Sequence, residues 1–88
     1  MKARITMSVT EEGELEIWLN EAGRAKLVEA LLSLGEASDH FHFGPPEEGE
    51  LEVLQRPYRP TDTVLGWGKV LYRTDEWDRR DFPHVIDD

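Results

Sequence analysis

Apolar and polar residues alternate strictly from Ala3 to Val9, with Ala3, Ile5, Met7 and Val9 on one side and Arg4, Thr6 and Ser8 on the other. That period marks a half-buried β-strand. Thr10-Glu11-Glu12-Gly13 supplies a glycine-bearing turn, and Glu14 to Leu19 resumes the alternation with Leu15, Ile17 and Leu19 inward. The pair predicts a hairpin. Asn20 then stands at a helix N-cap position, with Glu21 favoured in the first turn by the helix dipole. The spacing predicts a helix over 21–34, whose Leu27, Val28, Leu31 and Leu34 form a core-facing stripe and whose end is Gly35 as a left-handed C′ residue. Gly23 inside that helix costs about 1 kcal/mol relative to alanine, so the start either frays or sits against another backbone.

Asp39 to Phe43 is a short β-rich run, followed by Gly44-Pro45-Pro46-Glu47-Glu48-Gly49, where two prolines and two glycines exclude regular structure. Glu50 to Leu54 alternates again, predicting a second hairpin with a longer loop. Residues 11–17 read EEGELEI and residues 47–53 read EEGELEV, which fits either a duplicated hairpin or the chance recurrence of acidic turns. Gln55 to Thr63, with Pro57 and Pro60, reads as a loop or edge extension. The last strand is expected over 63–73. Both of its faces are apolar, which implies that something besides the single helix covers the sheet: the C-terminal segment or a partner.

The expectation is therefore one small α+β domain spanning 1–88: an antiparallel sheet of about five strands in the order ββαββ(β), one amphipathic helix on one face, and an irregular tail over 74–88. Cysteine is absent, so neither disulfides nor thiolate metal sites contribute. No signal-peptide core and no membrane span is evident, which predicts a cytoplasmic protein. The net charge of −9 is spread over both halves and repels phosphate backbones and anionic membranes, arguing against both as partners. Such a charge reads first as a solvated surface, and in second place as a surface made to meet a basic partner.

Asp39-His40-Phe41-His42-Phe43 is the most pointed motif. On a strand, His40 and His42 share one face while Phe41 and Phe43 enter the core. Two such imidazoles are capable of metal ligation with further ligands, but only His84 remains and it lies in the tail, so the motif reads first as a polar strand face with Asp39 accepting from an imidazole. Glu11, Glu12, Glu47 and Glu48 fall in turns where carboxylates are solvated, Ser8, Ser33 and Ser38 lack a nucleophile-elbow context, and Gly66-Trp67-Gly68 has none of the context of a phosphate loop. Enzymatic chemistry and a cofactor are not expected. Trp18 and Trp67 among acidic residues have the composition of a protein-binding hot spot, unless the tail covers them. The expected partner-binding residues are Trp18, Asp39, His40, His42, Glu47, Glu48 and Trp67.

The leucine-rich helix, Asp39-His40-x-His42 followed by an apolar residue, the glycine-bearing loop and Glu50-Leu51 resemble a family of small bacterial immunity proteins that accompany polymorphic toxins. The resemblance covers roughly residues 14 to 55. It implies a non-enzymatic binding protein that neutralises a toxin domain directly. The alternative is a small homodimeric domain of metabolic or regulatory role, with metal binding at the His-x-His strand a weaker reading.

Overall fold

The computed structural model describes residues 1–86; the last two positions of the expected tail lie outside the described residues. Its strands are β1 (Ile5–Val9), β2 (Leu15–Leu19), β3 (His40–Gly44), β4 (Leu51–Glu52), β5 (Thr63–Val64) and β6 (Gly68–Leu71), with helices α1 (Glu21–Leu32) and α2 (Asp75–Asp81) and a 3-10 turn at Pro83–Val85. The α+β class is as expected, but the single antiparallel sheet is not. Two three-stranded sheets form, ordered β2-β1-β5 and β4-β3-β6. They are joined where Leu54 N–H donates to the Ile5 carbonyl at 2.8 Å.

The first hairpin is as predicted, with β1 and β2 antiparallel and Gly13 taking φ +89° in the turn. The second is not a hairpin, because β3 and β4 run parallel, Phe43 opposite Leu51 and Gly44 opposite Glu52. The two prolines are the reason. Pro46 presets the turn that Glu48 N–H closes onto the Pro45 carbonyl at 3.0 Å, and Glu47 is driven to φ +74°. The chain thus coils round instead of reversing, and Gly49 lies against the backbone of Gly44 where a Cβ would collide. The recurrent EEGELE segments consequently adopt different structures. The expected last strand is likewise broken into β5, which joins β1, and β6, which joins β3 antiparallel. Between them the Gln55 side chain occupies the space beside Gly66 and donates to its carbonyl at 2.9 Å.

Asn20 caps α1 as predicted: its Oδ1 accepts from Gly23 N at 2.7 Å and from Arg4 N at 2.9 Å, and its Nδ2 donates to the Lys2 carbonyl at 2.9 Å. The side chain therefore ties the helix start to the entry of β1. Gly23 packs on the Arg4 carbonyl, which accounts for a glycine inside the helix. The helix ends two residues earlier than expected, at a Ser33 cap, and Gly35 forms a bridge with Ser38 in place of a left-handed cap. The core comprises Ile5, Met7, Phe41, Phe43, Leu51 and Val53, closed by Leu27, Ala30, Leu34 and Val70. Only part of the predicted stripe is used, since Val28 and Leu31 remain half-exposed. Residues 74–86 are not irregular: Thr74 caps α2 by accepting from Trp77 N at 3.1 Å. That helix is held to the end of β6 by Arg73, which pairs with Asp78 at 2.7 Å and Asp81 at 3.0 Å.

Candidate functional site

The register of β3 against β6 sorts side chains onto two faces. Phe41 and Phe43 lie opposite Val70 and Gly68 and point into the core; Gly68 leaves room for the Phe43 ring, which a Cβ there would strike. His40 and His42 lie opposite Leu71 and Lys69 on the outer face. One step further along that face the Trp67 ring lies on Gly44, within 3.0 Å of where a Gly44 Cβ would stand. α2 does not cover this face: Trp67 is 67% exposed and Leu71 59%. The alternative that the tail covers Trp67 is not what the structure shows.

Each histidine is tied to a carboxylate through Nδ1, His40 to Asp39 at 2.9 Å and His42 to Glu50 at 3.2 Å, and the two rings meet edge to face at 5.2 Å. Hydrogen bonding to His40 holds the Asp39 carboxyl below its usual range, and hydrogen bonding to the ring and backbone N–H of His42 does the same for Glu50. Both shifts favour a permanently charged carboxylate over a proton donor poised near neutrality. Among the described residues no group of three or more His, Asp or Glu side chains is arranged to hold a metal ion. Glu47 and Glu48 project from the turn directly after Gly44, exposed, with Glu47 in the left-handed region that non-glycine residues seldom adopt. The structure thus brings Asp39, His40, His42, Glu47, Glu48 and Trp67 to β3, its neighbour β6 and the turn that leaves β3.

Trp18 belongs elsewhere. It projects from β2 beside Thr6 and stacks under Tyr58 with ring centroids 4.2 Å apart, while the Arg59 guanidinium lies 5.1 Å above the ring. Arg59 also pairs with Glu16 and with Asp62, whose side chain is 1% exposed. The loop rich in proline, rather than the tail, therefore covers this tryptophan. Beneath it lie buried polar atoms without a hydrogen-bond partner among the described residues: Thr6 Oγ1, Ser8 Oγ, Trp18 Nε1 and one oxygen of Asp62. Sequence reasoning placed Thr6 and Ser8 on the face away from the core but had no signal for the Tyr58–Asp62 cover, because a Pro-rich segment carries no periodicity. Glu50 was also missed as a histidine partner; only the parallel β4 pairing brings it beside His42.

No helix among the described residues is long and apolar enough to cross a membrane. No family model, curated protein or solved structure matches the chain.

Proposed function

We propose that this chain is a non-enzymatic, protein-binding module that neutralises a bacterial toxin domain in the cytoplasm by covering its surface. The single observation that carries the reading is the outward Trp67 ring, lying on Gly44 in a row with Leu71, on the face where His40 and His42 pair with Asp39 and Glu50. A large aromatic that a monomer leaves in water is the residue type that dominates interface energies when buried. The histidine-paired carboxylates of this face and the net charge of −9 would steer a basic partner, such as a nuclease domain, toward it. His40 and His42 serve there as oriented polar groups, each fixed by its carboxylate. The strained turn at Glu47 supports the same reading, since strain of this kind persists where it holds a functional group in place.

The reading predicts a toxin coding sequence beside this gene, and the test is co-expression with the domain it encodes. The reading predicts that host growth is protected and that the two chains co-purify as a stoichiometric complex. Growth arrest together with no complex on a sizing column would reject it.

A further inference from the structure

The alternation that predicts a buried inner face on β2 is present, yet that face is not buried. Leu15, Ile17 and Leu19 point to the helix side of the sheet opposite Val9, Met7 and Ile5, but Leu15 stays 57% and Ile17 47% exposed. The cause is the placement of α1. Leu27, Ala30 and Leu34 reach the core, and the other flank of the helix borders Leu51 and Glu50. Arg24 lines an open groove of about 520 Å³ with Ile17, Leu19, Asn20 and Glu21, and Val28 and Leu31 continue from Arg24 at helical spacing. β2 is also the edge of its sheet. Since Thr10 N–H donates to the Glu14 carbonyl and Asn20 N–H to the Arg4 carbonyl, the even-numbered residues of this strand bond to β1. The backbone N–H and C=O groups of Leu15, Ile17 and Leu19 therefore face outward, unpaired among the described residues.

We propose that a second copy of this chain occupies this edge, with β2 pairing antiparallel to its twin about a two-fold axis at Ile17. In that register Ile17 meets Ile17 and Leu15 meets Leu19 as hydrogen-bonded pairs, so each outward backbone group is satisfied. The apolar side chains meet on the helix side, where the partner's Leu15 enters the groove over Leu19 and the two α1 helices present Val28 and Leu31 to each other. On the other side Glu16 lies opposite Trp18 rather than opposite its own copy, and so approaches the Arg59 guanidinium above that ring. The register thus avoids a like-charge pair in a strongly acidic protein.

The surface area supports the same conclusion. The chain exposes 6513 Å², whereas a folded monomer of 10.2 kDa exposes about 5,300 Å². The excess of roughly 1,200 Å² is summed over the whole molecule, the Trp67 face included, and is large enough to contain the ~800 Å² that one partner contributes to a standard interface. The Cα radius of gyration of 15.0 Å, against about 12 Å for a compact chain of this length, reflects the same open form. This edge is separate from the Trp67 face, so the proposal stands independently of the toxin-binding reading.

Because the chain has no cysteine, a single introduced one reports the contact. Ile17→Cys should cross-link to its copy under mild oxidation, since directly opposed hydrogen-bonded residues lie about 5.5 Å apart at Cα, within disulfide range. Leu71→Cys, on the outer face of β6, should not. Sedimentation equilibrium of the unmodified protein at high micromolar concentration should give the mass of two chains, and Ile17→Lys, which replaces a side chain already half in water, should give one with its circular dichroism retained. Leu15→Lys substitutes if Ile17→Lys does not fold. A single-chain mass for the unmodified protein, or cross-linking of Leu71→Cys in preference to Ile17→Cys, would overturn the proposal.

Discussion

Replacing Gly23 with alanine sets two forces of opposite sign against each other. In a solvent-exposed helix the change stabilises by about 1 kcal/mol, because glycine loses more backbone freedom on folding. Here the new Cβ would collide with the Arg4 carbonyl oxygen and stand 3.0 Å from both the Arg4 carbonyl carbon and Asn20 Oδ1. None of these atoms is free to retreat. The Arg4 carbonyl accepts from Asn20 N at 3.2 Å, and Asn20 Oδ1 holds Gly23 N and Arg4 N together. Forcing a methyl group into a packed contact costs about 1–3 kcal/mol, and loosening the cap adds about 1 kcal/mol. The net expectation is a loss of about 1–3 kcal/mol, with the melting temperature falling by roughly 4–8 °C per kcal/mol in a domain of this size. Thermal and urea melts at fixed protein concentration measure it. Gly35→Ala is the control, since no atom lies within 4 Å of its Cβ and its φ is not left-handed; it should be neutral or slightly stabilising. A Gly23→Ala variant more stable than the parent would refute the packing of the start of α1 on the Arg4 carbonyl at the entry of β1.

Glu47→Gly relieves the positive φ and should stabilise the fold by about 0.5–1 kcal/mol in urea melts while weakening partner binding; destabilisation would contradict the turn geometry. Arg59→Met strips the buried Asp62 carboxylate of its cation and should lower the melting temperature, and Asp62→Asn in that background should restore part of the loss. Strict additivity of the two changes would argue against their coupling. Hydrogen bonds from Arg80 and Arg73 hold Asp81 down to about 2 from an ordinary 3.8, so its contribution to seating α2 is complete above about pH 4 and is lost as pH falls toward 2. Carbon NMR of the Asp81 carboxyl should titrate near 2, and a midpoint near 4 would remove Asp81 from the Arg73 cluster.

Elements whose cause is local were legible in the sequence. The β1–β2 hairpin follows from alternation and Gly13, and the start of α1 follows from Asn20. Pairing decided by distant groups was not legible. Nothing in residues 50–54 distinguishes a returning hairpin strand from the parallel β4, because the decision lies in how Pro45 and Pro46 steer the turn. The division of the last strand likewise depends on Gln55 reaching Gly66 from another part of the chain. The helical stripe was read as wholly inward because periodicity fixes a face but not how far the helix is displaced over the sheet, and that displacement leaves Val28 and Leu31 outside the core. For the site, the outward His40/His42 face followed from strand period, and the exposed turn position of Glu47 and Glu48 from turn composition. Trp18 was misassigned because Tyr58, which covers it, is 40 residues away in a segment without pattern.

The exposed Trp67 face is the proposed contact with another protein. The most direct measurement is calorimetric titration of the co-purified toxin domain with the unmodified chain and with Trp67→Ala. Truncating a central aromatic anchor should cost about 2 kcal/mol or more, a loss in affinity of roughly 30-fold. The melting temperature of the free variant should change little, because the ring is two-thirds exposed. An affinity within about threefold of the parent, in a variant with unchanged stability, would contradict the claim.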